Sequence, residues 1–335
     1  MFVGFIRSVP EGGRIGMPPV LSRQQGSLLV LFCGLMFSFG PLTFRALRDA
    51  DAWQFLFHRS WATAVVSAAI IVAAGRNPLR AVVEAGLRQV AAGLVVAGLF
   101  TLFIVALSRA SAAFVLLMQS TSPFYAALFG RIFLKEPVGR DTLTAMVVAA
   151  FGVVVMIGGN VSSGDALGTI LSAILPIALG GYAVLIRSSP IRDPGVPMLV
   201  GGTAGAVAAA AVSSFGPGVV VPAYDVLMGV IGGGLLIGLF APIWNYAHRY
   251  VPPADVSLLL ISEIVMAPLW LWIWRDETPS TETLVGGAIS LAAVLWLTFR
   301  MSRDGKPALS ARGRGLHVGS VPSFRRYRSS SEPKV

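Results

Sequence analysis

The chain has 335 residues, 55% of them hydrophobic and only 13% charged, with a mean hydropathy of +0.75. Soluble globular proteins carry roughly 25% charged residues, so a water-facing surface is excluded, as is chain-wide disorder, which needs low hydrophobicity. One cysteine, Cys33, excludes an intrachain disulfide and a thiolate metal cluster, and a formal net charge of +10 suggests an anionic partner until the charges are located.

Uncharged apolar stretches long enough to cross a bilayer follow one another along the chain; about 20 residues are needed for each crossing. They cover 24–44, 89–108, 110–130, 142–164, 166–186 and 226–248. The gap 194–224 holds a further span near 196–214 and then a turn-rich loop, Phe215-Gly216-Pro217-Gly218, and 283–299 makes a shorter span. Two more carry ionisable groups: 52–75 contains Arg59, and 254–274 contains Asp255 at its start and Glu263 inside. The expectation is an all-α integral membrane protein with ten transmembrane helices, because backbone groups in lipid must be satisfied internally and the alternation of a membrane barrel is missing.

An even number of spans puts both termini on one side. With that side cytoplasmic, 21 Lys and Arg fall inside against four outside (Arg45, Arg48, Arg109 and Arg275), with Arg59 within a span. This is the positive-inside pattern. Residues 1–25 form a cytoplasmic arm that does not look like a cleaved signal, since Pro10, Glu11, Gly12 and Gly13 interrupt any apolar core. Residues 301–335 read as a basic, disordered cytoplasmic tail. The body between arm and tail is almost neutral, so the net charge reports orientation and not a nucleic-acid partner. Abundant Ala and Gly, with Arg far outnumbering Lys, suggest a high-GC bacterial genome and hence an inner (plasma) membrane.

Sliding the chain against itself by 141 residues superposes Glu136 on Glu277, Ala113 on Ala254, Val115 on Val256, Leu117 on Leu258 and Thr142-Leu143 on Thr283-Leu284. The expected units are a first five-helix repeat over 26–160 and a second over 161–300. Five spans are odd, so the second unit enters the membrane inverted. This is an organisation typical of secondary transporters, with a substrate site near the midplane between the halves.

The run Ala106-Leu107-Ser108-Arg109-Ala110-Ser111-Ala112-Ala113, continuing through Pro123 to Phe133-Leu134-Lys135-Glu136, resembles the EamA repeat of the drug/metabolite transporter superfamily. A second copy runs from Ala247 through Leu258-Leu259-Leu260, Glu263, Pro268 and Glu277 to Gly286-Gly287. The sequence departs from that family's pattern in having Phe39-Gly40 where Trp-Gly is frequent. Its second repeat also carries Glu263 where the first has Ser122. The resemblance implies a ten-helix carrier of two five-helix bundles around a central cavity. It would move a small metabolite, an amino acid or a drug-like molecule by alternating access, with family members exporting or importing.

Polar groups inside the spans are the site candidates, since a charge at mid-membrane costs about 2.5–3.5 kcal/mol on insertion scales. Glu263 lies roughly 14 Å along its span. It is a candidate substrate-binding carboxylate that couples protons or binds a cation, or alternatively a structural partner of Arg59 or of backbone donors. Arg59 lies roughly 10 Å deep; it either binds a substrate carboxylate or phosphate or snorkels outward beside Trp53 and Trp61. His58, about 100° around the helix, reads as structural. Gln119, Ser120, Thr121 and Ser122 precede Pro123, which removes a helical bond; they line a cavity or merely repair the kink. Gln119 and Ser122 join Tyr182, Trp244 and Asn245 as substrate-lining candidates, with Pro123 and Pro268 as hinges. Trp270 is a further lining candidate, although Trp270, Trp272 and Trp274 read more readily as an interfacial belt. Glu136 and Glu277 read as boundary residues pairing with nearby bases or loop amides. The glycine runs at 201–205 and 232–238 read as close helix packing.

No cofactor and no metal are expected, and no nucleotide-binding loop is present to drive transport with ATP. The partners implied are the lipid bilayer and a small-molecule substrate; uphill transport would need an ion gradient, protons being one candidate, or a partner. Two other classes remain open at this point: a membrane-embedded enzyme, for which the histidines lack metalloprotease spacing and only Glu263 offers a mid-membrane carboxylate, and a sensor or channel subunit, which would not need the duplication.

Overall fold

The computed structural model describes residues 23–135, 138–161, 165–187, 195–247 and 253–303, and the regular structure of these residues is entirely helical. In chain order the helices are α1 (Arg23–Phe37), α2 (Gly40–Arg45), α3 (Ala52–Ala73), α4 (Pro78–Ala85), α5 (Leu87–Arg109), α6 (Ala112–Gln119), α7 (Ser122–Phe133), α8 (Arg140–Val161), α9 (Ala166–Arg187) and α10 (Val196–Ser213). There follow α11 (Ala223–Val230), a π-helical segment π1 (Ile231–Leu239), α12 (Phe240–Ala247), α13 (Pro253–Arg275) and α14 (Thr281–Arg303). Among the described residues, 8 helical stretches are long and apolar enough to cross a membrane: α1 with α2, α3, α5, α6 with α7, α8, α9, α10, and α11 through α12. α14 adds a shorter apolar stretch, Thr281–Leu297.

Local chemistry sets the breaks. The stretch 24–44, expected to be one helix, is two pieces: Ser38 donates its hydroxyl back to the carbonyl of Leu35 at 2.6 Å, and Pro41 begins the second piece. α3 starts in a capping box, in which the Asp51 carboxylate accepts from the amides of Trp53 and Gln54 while the Gln54 side chain accepts from the Asp51 amide. Short α4 begins with Pro78 after the Asn77 cap, and exposes Leu79 and Val83 beside the ends of the longer helices. Just beyond α7 and α13 stand non-glycine residues with left-handed backbone, Lys135 at φ 56° and Asp276 at φ 53°. This conformation closes the last turn but is costly for a residue with a Cβ.

The helices contact one another through small residues. α3 packs along α10, where Gly202 lies so close that a Cβ would sit 2.7 Å from the carbonyl oxygen of Ser60. α8 packs along α14, and a Cβ on Gly286 would overlap the carbonyl of Gly152. Added to Gly233 of π1, a Cβ would overlap the backbone carbonyl of Arg59 on α3. The glycine runs are thus close-packing surfaces, as the sequence suggested. α5 lies against α9 and α10, α9 against α7, and α13 against α1 and α6. Phe55, Leu56, Ile104, Leu107 and Phe114 fill the centre with little or no exposure. The periphery carries exposed Phe32, Val147, Phe151, Val154 and Val207, an apolar exterior that suits lipid and would be a liability in water.

Candidate functional site

Arg59 lies in the first half of α3 and is only 6% exposed. Its guanidinium carbon lies 4.5 Å from the ring centre of Phe100 and 6.0 Å from that of Phe103, both on α5. Nη1 is fully buried without a hydrogen-bond partner, and among the described residues no carboxylate forms an ion pair with Arg59. The snorkelling expected as one alternative does not occur. Trp61 is engaged elsewhere: its indole N–H donates to Nδ1 of His58 at 3.1 Å. Nδ1 is therefore the acceptor, so Nε2 carries the ring proton and donates it to the carbonyl of Val219 at 2.9 Å. His58 is structural, as its position on the helix suggested.

The acids near the ends of the membrane helices are occupied. Asp225 on α11 accepts from the amides of Arg48, Asp49 and Ala50, between 2.8 and 3.0 Å, and so fixes the turn leading into α3. Glu277, just beyond α13, accepts from Nε of Arg45 at 2.8 Å and from the amide of Ala112 at 2.6 Å. Arg45 in turn donates through Nη2 to the carbonyl of Ala110 at 2.9 Å. One carboxylate thereby ties the end of α2, the start of α6 and the end of α13 into a clasp. Glu136 lies outside the described residues.

The polar run before Pro123 divides in two. Ser120 and Thr121 return their hydroxyls to the carbonyls of Leu117 and Met118 at 2.6 and 2.7 Å, repairing the break between α6 and α7. The side chains of Gln119 and Ser122, both partly buried, make no such bond among the described residues. They sit on α6 and at the start of α7, and α6 packs against α13, which carries Glu263. Glu263 is also partly buried and makes no hydrogen bond or ion pair among the described residues. The structural pairing of Glu263 with Arg59 is therefore not made.

Tyr182 on α9 packs against the central core, and Trp244 lies on α12, which contacts α1 and π1. The side chain of Asn245 falls outside the described residues. Trp270 donates its indole N–H to Ser38 at 3.0 Å and stacks on Phe39, with ring centres 5.3 Å apart. Trp274 stacks in turn on Trp270 at 5.3 Å. Phe39, standing where the resembling family often has Trp, thus anchors the α1–α2 break to α13. Trp272 and Trp274 are exposed, as a belt position requires. Pro268 lies inside α13, which continues through it, whereas Pro123 sits at a true helix break.

Sequence reasoning missed three features: the α1–α2 break, the π segment, and Phe100 and Phe103 against Arg59. The glycine run was the one signal pointing to the second. The aromatic pair carries no mark distinguishing it from other core phenylalanines.

An all-helical bundle with an apolar exterior, glycine-mediated helix contacts and charge buried within is a multi-pass membrane protein. Residues 24–158 match the family model of the EamA-like transporter family. Over this segment the chain is similar to that family, which is part of the drug/metabolite transporter superfamily. This is a family of transporters, which implies a small-molecule substrate. The fold is similar to that of a solved protein crystal structure with 17% sequence identity and a TM-score of 0.59, covering 84% of this chain and 99% of that one. At that identity the likeness concerns the fold alone. No curated protein matches the sequence.

Proposed function

We propose that the protein is a secondary transporter that exports a small metabolite, amino acid or drug-like molecule by alternating access, coupled to protons through Glu263. The observation that carries this reading is the way elements at equivalent positions of the two repeats meet. With an interval of 141 residues, α3 is equivalent to α10, α6 to α13 and α8 to α14, and each of these pairs is in contact. The left-handed residues Lys135 and Asp276 stand at the same interval. These pairings support ten membrane helices in two inverted units, 26–160 and 161–300. In such an arrangement the same contacts can open on one side as they close on the other.

The clasp on Glu277 is at the end that the Lys and Arg distribution assigns to the outside, and supports an outward gate held shut. In this reading the cargo is bound by Gln119, Ser122 and Glu263, between α6 and α13, together with Arg59, Tyr182, Trp244 and Asn245. Pro123 and Pro268 give the flanking helices their flexure. The membrane is the bacterial inner membrane, with both termini cytoplasmic. Purified protein in ATP-free liposomes provides the test. Saturable counterflow of a metabolite supports the carrier, whereas chemical turnover without translocation supports an enzyme and overturns it.

A further inference from the structure

Arg59 is a buried cation to which the described residues of the protein supply no counter-charge. Two buried or half-buried acids near the helix ends are committed elsewhere: Asp225 to three loop amides and Glu277 to Arg45 and Ala112. Glu263 makes no ion pair with it. The faces of Phe100 and Phe103 stabilise the positive charge. A ring face, however, is a poor acceptor for the guanidinium N–H groups, and Nη1 has no partner. The N–H groups of Nη1, at one end of a rigid fork, are left to match a planar or tetrahedral oxyanion.

The backbone that carries this fork is held from the opposite side. Gly233 of π1 abuts the Arg59 carbonyl, Gly229 abuts His58, and the Thr63 hydroxyl bonds both the Arg59 carbonyl at 2.9 Å and the Gly233 carbonyl at 3.0 Å. A π segment inside a helix is itself frequent at functional sites. A buried charge with no structural partner, on a backbone pinned in place, is a costly arrangement that an incoming anion would relieve.

We propose that Arg59 is the anion-binding residue of the transport site, and that the transported molecule carries a carboxylate or a phosphate ester which this guanidinium binds, with Phe100 and Phe103 forming the apolar wall beside it. The proposal rests on the carrier reading above and narrows its substrate class. The probe is the small-molecule fraction of a bacterial extract, divided on a strong anion exchanger at alkaline pH. Carboxylates and phosphate esters, amino acids included, are retained, whereas neutral sugars and amines flow through. Each pool is loaded into proteoliposomes and its exchange with the same labelled pool outside is read by mass spectrometry.

Exchange is expected from the retained pool alone. Phosphatase treatment of that pool separates the two sources: a phosphate-ester cargo is lost and a carboxylate survives. Arg59→Gln is expected to lower the exchange about tenfold or more, the loss that accompanies removal of a charged hydrogen bond, and Arg59→Lys to retain part of it. Arg59→Gln without substrate is expected to melt close to the parent protein, because the charge makes no ion pair and loses only its contact with the Phe100 and Phe103 rings. Exchange confined to the flow-through pool overturns the anion site and leaves the carrier standing. Exchange from neither pool overturns both. A lower melting temperature for Arg59→Gln, with anion exchange intact, shows a structural arginine and overturns the proposal.

Discussion

Arg59 and Glu263 show how far single residues could be read before the fold was seen. Both were conspicuous as charges within apolar spans, but their surroundings were not legible. α3 is apolar on nearly every side, so no stripe marks the face that meets α5. Burial against Phe100 and Phe103 and outward snorkelling beside Trp61 were therefore equally consistent with the sequence. Ser120 and Thr121 could likewise not be told from Gln119 and Ser122, since which hydroxyl turns back onto its own helix depends on rotamer and break geometry. Glu263 has no hydrogen bond or ion pair among the described residues. If it carries the coupling proton, Glu263→Gln leaves exchange between the two sides within about twofold of the parent but abolishes accumulation driven by a pH gradient, since a neutral isostere keeps shape and loses only the titrating proton. Radiolabelled or mass-spectrometric uptake with and without an imposed gradient checks this; unchanged accumulation removes Glu263 from the coupling role.

At the scale of elements, the helices themselves were largely legible, because length and apolarity alone define a membrane crossing. The span expected near 196–214 is α10 at Val196–Ser213, and the one expected at 89–108 is α5 at Leu87–Arg109. The departures are local. The α1–α2 break depends on a serine back-bond and a stacked tryptophan from 232 residues away, and π1 depends on how closely α3 approaches. The Gly233 contact gives a sharp expectation. Gly233→Ala forces a Cβ into a backbone carbonyl that cannot rotate away, and is expected to cost about 3 kcal/mol or more. Gly98→Ala on α5, where a Cβ meets nothing within 4 Å, is expected to stabilise by about 0.5–1 kcal/mol through reduced chain entropy. Melting temperatures in detergent compare the two; equal tolerance would mean that π1 does not lie against α3. The clasp yields a second expectation. Glu277→Gln keeps the shape but weakens two charged hydrogen bonds, and should raise the rate at which an impermeant maleimide labels a cysteine at Ser111, in a Cys33→Ala background, by several-fold. An unchanged labelling rate would show that the clasp holds nothing closed.

At the scale of the whole molecule, the sequence offered a repeat in which apolar matches are easily found by chance, and the acidic pair Glu136 and Glu277 carried the register. In the account proposed above, that register acquires physical support from contacts between equivalent helices and from two costly left-handed residues at the same interval. The clasp could not be read in advance, because Arg45 and Glu277 come together only through tertiary structure. A carrier working by alternating access must part this clasp in every cycle, whereas an enzyme or a sensor need not. The most direct measurement therefore replaces Cys33 by Ala, introduces Arg45→Cys with Glu277→Cys, and follows counterflow in liposomes before and after the two thiols are bridged by a bifunctional methanethiosulfonate reagent, and again after reduction. The account predicts that the reduced protein exchanges substrate, that the cross-linked protein stops, and that reduction restores exchange. Undiminished exchange by the fully cross-linked protein would contradict it.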